Sequence, residues 1–83
     1  MIKMNNLNKL NNVFATTFEV EENQVKSLAY RKTPLWDSVG QMTLIANIED
    51  EFDIVIQSED IMDFNSYDAA KSILTDKYNI SFE

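Results

Sequence analysis

Apolar residues return at helical spacing in three stretches of the chain and lose that rhythm between them. From Met4 to Phe18 they fall at Leu7, Leu10, Val13, Phe14 and Phe18, the stripe of a helix with one buried face. Five asparagines share that stretch, Asn5, Asn6, Asn8, Asn11 and Asn12. Their side chains compete for backbone hydrogen bonds, so packing rather than propensity must hold this helix. From Asp37 to Glu51 a second helix is predicted, with Gln41, Leu44, Ile45, Ile48 and Phe52 on its core face. Its start admits two registers: Asp37 as N-cap with Ser38 at the first helical position, or Ser38 as N-cap of a box Ser38-Val39-Gly40-Gln41. A last helix carries Tyr67, Ala70, Ile73, Leu74 and Tyr78 inward, with Asn65 or Ser66 as cap and Lys71 and Lys77 toward its negative end.

Between the first two helices, Glu19 to Trp36 shows no period and holds Pro34, which argues against helix there. Val20, Val25, Leu28 and Leu35 are the apolar residues available to pin it, and an ordered loop is expected. Ser58-Glu59-Asp60-Ile61-Met62 predicts a short helix, with Ser58 as cap and acids suiting its positive end. Ile54-Val55-Ile56 is β-branched but has no partner strand of similar character, so it is discounted as a strand. The tail from Asn79 to Glu83 is expected to fray. The fold class that follows is all-α, a four-helix bundle of three longer helices and one short third helix, with a long loop joining helices one and two. With 83 residues, positions 1–83 form one domain.

Lys plus Arg is 7 and Asp plus Glu is 14, a net charge of −7 that argues against nucleic acid as a partner. There is no Cys and no His, which removes disulfides, thiolate nucleophiles and histidine general bases. No apolar run approaches the ~20 residues that span a bilayer. The polar start Met1 to Asn6 lacks the apolar core of a secretory signal, so the cytoplasm is the expected compartment. A monomer is the default expectation.

The acids are unevenly placed. Between Thr33 and Ala70 there are nine, Asp37, Glu49, Asp50, Glu51, Asp53, Glu59, Asp60, Asp63 and Asp68, and no Lys or Arg. Such a run is either a solvated face or a docking surface for basic partners. A calcium loop fits poorly, because the one glycine, Gly40, precedes the acidic cluster instead of standing at its centre. Val39, Met42 and Ala46 lie off the core face of helix two and form a small apolar stripe. Ser38 has no base to make it a nucleophile, unless Lys26, Lys32 or Lys71 folds back to it. Either Ser38 is only a cap, or it is a hydroxyl on which another enzyme acts. A helix start suits the second role, because its free N–H groups and positive end tolerate a phosphodiester.

The run Leu35-Trp36-Asp37-Ser38-Val39-Gly40-Gln41-Met42-Thr43-Leu44-Ile45-Ala46-Asn47-Ile48-Glu49-Asp50-Glu51-Phe52-Asp53-Ile54 resembles, without a gap, the segment of acyl carrier proteins from the Asp-Ser-Leu motif to the end of their second helix. The order and lengths of the other elements are similar too. Val39 stands where that family usually has leucine, and Gly40 and Thr43 where its fatty-acid synthesis members commonly have acids.

The resemblance implies a carrier, not an enzyme, with no catalytic residue and no metal ligand of its own. Ser38 would receive a 4′-phosphopantetheine arm from coenzyme A, added by a magnesium-dependent phosphopantetheinyl transferase. The arm's thiol would hold an acyl or aminoacyl group as a thioester, for fatty-acid-like, surface-polysaccharide or secondary-metabolite synthesis. Asp37, Val39, Met42, Glu49 and Asp50 would form the surface that meets basic patches on acyl-loading and acyl-transferring partner enzymes. Leu44, Ile45, Ile48 and Phe52, with Phe14, Phe18, Tyr67 and Leu74, would line an interior able to shelter an acyl chain. An unmodified acidic interaction module on the same fold is the alternative.

Overall fold

A computed structural model describes residues 5–82. Met4, the expected first residue of helix one, and Glu83, the last of the tail, lie outside the described residues. The elements are α1 (Asn6–Phe18), a 3₁₀ turn η1 (Glu22–Ser27), α2 (Ser38–Phe52), α3 (Ser58–Ile61) and α4 (Tyr67–Tyr78). Among the described residues there is no strand; an isolated antiparallel bridge joins Ala29 to Ser66. No helix among them is long and apolar enough to cross a membrane.

Helix α1 begins where Asn5 supplies an N-cap, its side chain accepting from the Asn8 N–H at 2.8 Å. Two other asparagines are tied across the fold. Asn11 accepts the Tyr67 hydroxyl, and the Asn6 amide donates to the Ser81 carbonyl at 2.9 Å. The residues that weaken α1 as a helix thus bond it to α4 and the tail. Asn47 of α2 adds a bond to Thr17 of α1, 2.8 Å.

An aromatic cluster fills the centre. Phe14 packs edge-on against Trp36 and Tyr67, with centroids 5.6 and 5.3 Å away, and Phe18 stacks on Trp36 at 4.6 Å. Pairs of this kind contribute about 0.5–1.5 kcal/mol each beyond the area they bury. Leu44, Ile45, Ile48, Phe64, Ala70 and Leu74 are among the other residues buried in the core. Phe52, Ile73 and Tyr78 lie half-buried at its margin.

Several expectations need correction. The first connection contains a helical turn after all, since η1 places Val25 inside and Leu28 follows at a spacing of three, the period of a 3₁₀ turn. Leu35 does not pin the loop; it is 44% exposed, whereas the next residue, Trp36, is 0% exposed. Pro34 and Leu35 form a turn closed by the Trp36 N–H on the Thr33 carbonyl at 2.9 Å, with Leu35 on its outer side and the larger Trp36 ring in the core. Ser58 is not a cap. Gln57 holds that position without a side-chain bond, and its N–H donates to the Tyr78 hydroxyl at 2.9 Å. The tail does not fray through Phe82: Ile80 is buried and Phe82 meets Phe52 edge-on at 6.2 Å.

Asp60 is buried despite its charge, and α4 accounts for that. Its carboxylate accepts from Lys77 Nζ at 2.5 Å and from the Tyr78 hydroxyl at 2.7 Å, clasping α3 to α4. The Lys77 bond, followed by the Tyr78 bond, holds the Asp60 carboxyl below the ordinary carboxylate range. The same bond raises the Lys77 ammonium above its ordinary value. A lowered aspartate pKa stabilises fully above the unfolded value of ~3.9 and is lost as pH falls through the folded value. A raised lysine pKa stabilises fully below ~10.4 and is lost as pH rises through the folded value. Urea midpoints measured against pH are therefore expected to fall below about pH 4 in the native chain. That acid limb should be shallower in Asp60→Asn, with lower stability near neutral pH; an unchanged profile would show that the clasp contributes nothing.

Candidate functional site

The start of α2 is built around Asp37. Its carboxylate Oδ1 accepts from the Gly40 N–H at 2.9 Å, and its carbonyl accepts from the Gln41 N–H at 2.7 Å. Of the two registers open in the sequence, Asp37 is the N-cap and Ser38 the first helical residue. Ser38 is exposed, and its hydroxyl has no hydrogen-bond partner among the described residues. Lys26, Lys32 and Lys71 make no bond to it; Lys71 lies 6.0 Å over the Tyr67 ring. Among the described residues, no base meets this hydroxyl.

Gln41 does not close a capping box with Ser38. It points inward, 1% exposed, and its amide nitrogen donates to the carbonyls of Ile61 at 2.5 Å and Phe64 at 3.0 Å. Its oxygen accepts from the Trp36 indole N–H at 2.5 Å. One side chain thus joins the loop before Ser38, helix α2 and the segment around α3. The sequence held a signal for it: a polar residue on an otherwise apolar face must find partners inside.

Gly40 also has a packing reason. A Cβ there would lie 1.9 Å from the Leu35 carbonyl oxygen and 3.4 Å from the Phe18 ring. Any side chain at that position collides with the loop that leads to Ser38, which accounts for glycine standing where an acid was the comparison.

Outside the helix, Ser38, Val39, Met42, Thr43 and Ala46 line a shallow open groove. Val39 and Met42 are 75% and 54% exposed, so the predicted apolar stripe is at the surface. Of the expected surface residues, Asp37, Val39 and Met42 gather around Ser38. Glu49 and Asp50 lie eleven and twelve positions along α2, roughly 16–18 Å away at 1.5 Å per residue. The Glu49 carboxylate accepts from the Ile56 N–H at 2.8 Å, so it fixes the chain after the helix as well as contributing charge. Asp50 is exposed. With Asp60 buried in its clasp, the acidic run is not one continuous face.

At an ordinary exposed helix position Gly→Ala raises stability by about 0.5–1 kcal/mol. Gly40→Ala is expected to do the opposite and lower it by about 1–3 kcal/mol, as overpacking does. A lower urea midpoint with unchanged slope is the expected reading, and a higher midpoint would contradict the contact with Leu35. Compared with known proteins, the chain matches no family model, no curated protein and no solved structure.

Proposed function

We propose that this chain is a carrier of the acyl-carrier type, with a 4′-phosphopantetheine arm on Ser38. The observation that carries the reading is the state of one side chain: the Ser38 hydroxyl is exposed, unpartnered among the described residues, and held at a helix start fixed from both sides. Asp37 secures the first turn, and Trp36 with Gln41 secures the approach to it. The residues present fit a phosphodiester. The first N–H groups of α2, those of Ser38 and Val39, have no acceptor within the helix, and the helix end carries partial positive charge.

In the modification, Ser38 Oγ bonds to the coenzyme A phosphorus next to the pantetheine, and that phosphorus releases adenosine bisphosphate. The serine proton leaves to a base on the transferase, since this chain has no histidine. When bound, the arm supplies a mobile thiol, the nucleophile that a cysteine-free sequence lacks. The chain's own residues then present the cargo. Val39 and Met42 offer an apolar contact beside Ser38, and exposed Asp50, Glu51 and Asp53 steer encounters with basic patches on acyl-loading and acyl-transferring enzymes. Tethering raises the local concentration of cargo at each partner without a tight complex.

Incubation with coenzyme A, magnesium and a phosphopantetheinyl transferase tests this directly by intact mass. The expected result is a gain of one phosphopantetheine that disappears in Ser38→Ala. No gain, or the same gain in Ser38→Ala, would overturn the reading. With no gain the unmodified interaction module would stand, and it requires Ser38→Ala to be silent in the cell.

A further inference from the structure

We infer, resting on the carrier reading above, that Arg31 holds the arm at its root, its guanidinium pairing with the phosphodiester that joins the arm to Ser38. The loop before α2 puts it within reach. From Val25 to Trp36 the chain carries Lys26, Arg31 and Lys32 and no acid, and all three cations are exposed. The Arg31 N–H donates to the Trp36 carbonyl at 2.8 Å, and Trp36 stands two positions before Ser38. Bond lengths along that path keep the Arg31 and Ser38 Cα atoms within roughly 12 Å of each other. An arginine side chain and a phosphate carried on the serine together bridge such a gap.

Arg31 also stands in a conformation that its side chain makes costly. The Lys32 N–H donates to the Ala29 carbonyl at 3.1 Å, closing a β-turn in which Arg31 is the third residue, at φ 68°. Glycine or asparagine is the ordinary choice there. Among the described residues, the other non-glycine residues with positive φ are Glu19, Asp53 and Asn79, and each ends a helix. Arg31 does not. The turn has no room to relax around it, because the Tyr30 N–H donates to the Asn65 carbonyl at 3.0 Å and Ala29 bridges to Ser66. Yet the guanidinium makes no hydrogen bond, ion pair or ring contact among the described residues. Strain kept at a position that a smaller residue fills better, with the charge unused by the fold, points to a role outside the packing.

A phosphodiester on Ser38 supplies that role. It would place a negative charge one residue from the Asp37 carboxylate, whose Oδ1 already holds the Gly40 N–H. Against those two charges the helix end offers only about half a unit of positive charge. Arg31 brings a full unit, in a planar fork that matches two phosphate oxygens. The pairing fixes where the arm leaves the protein and lets its thiol end swing.

The test compares the bare protein with the arm-bearing one, loaded by a transferase and checked by intact mass, for the native chain, Arg31→Asn and Lys26→Asn. Asparagine tolerates the left-handed region, so Arg31→Asn keeps the turn. Lys26→Asn removes the same charge from η1 and controls for net charge. In the native chain the Arg31 Nε–H NMR signal should shift when the arm is added, and concentrated salt should reduce that shift by screening exposed charges. This measurement needs no variant. The phosphorus signal of the arm should shift and narrow in Arg31→Asn as the root of the arm gains motion, and stay as in the native chain in Lys26→Asn. An Arg31 signal that ignores the arm, or a phosphorus signal alike in all three proteins, would overturn the pairing and leave the carrier reading intact. If Arg31→Asn with that unchanged phosphorus signal also lost affinity for a partner enzyme, the basic turn would belong to an acidic protein surface instead. A native chain that takes up no arm would overturn both.

Discussion

Gln41 lies on the apolar face of α2, where a primary amide must satisfy its hydrogen bonds within the protein. It does so with three partners from separate parts of the chain: the Trp36 indole before the helix, and the Ile61 and Phe64 carbonyls around and after α3. Leaving any of these groups unpaired costs about 1–3 kcal/mol, a large share of what a domain of this size has in reserve. The loop, α2 and α3 therefore move together or not at all. Trp36 is held by that bond at one edge and by the Phe18 stack on its face. Ser38, two residues further on, inherits its position from both.

The use of the chain's one glycine follows from the same region. Gly40 is where α2 passes under the Leu35 carbonyl, and no other residue fits there without moving backbone. The helix ends, where glycine is the common choice, are made by Glu19, Asp53 and Asn79 in the left-handed region instead. Each such residue costs on the order of 1–2 kcal/mol. An apolar residue follows each one, Val20, Ile54 and Ile80, and its N–H returns to a helix carbonyl while its side chain packs on the core. Burial of those side chains offsets the strained turns.

The helices were legible in the sequence because periodicity reports which face is buried, and Leu10, Phe14, Leu44, Ile48, Ala70 and Leu74 do face the core. Boundaries set by side-chain bonds were less so. The choice between Asp37 and Ser38 as cap depends on where one carboxylate points, which spacing does not encode. The destination of Lys77 was missed for a related reason. At the end of α4 it looks like a charge placed for the helix dipole, and only the packing of α3 turns Asp60 toward it. Trp36 was read as part of a loop because no period runs through Glu19 to Trp36, yet a tryptophan beside a proline-bearing turn was the strongest candidate there for burial. At the site, Ser38 and its neighbours Val39 and Met42 could be placed from spacing; what holds Ser38 in place could not.

Charge in this molecule is divided by task. Asp37 caps α2, Glu49 fixes the chain beyond it and Asp60 clasps α4, so three of the nine acids in the central run are spent on the fold. The other six are exposed, Asp50, Glu51 and Asp53 at one end of α2 and Glu59, Asp63 and Asp68 beyond it, while the apolar residues Val39 and Met42 lie at the other end of α2. For the basic partners proposed above, attraction to the acidic end would precede apolar contact beside Ser38, since long-range attraction orients before short-range contact forms. Exposed ion pairs contribute little to residence time, so such an encounter is fast to form and fast to end. Such kinetics are what the carrier proposed above requires, because each loading or transfer step needs its own brief encounter.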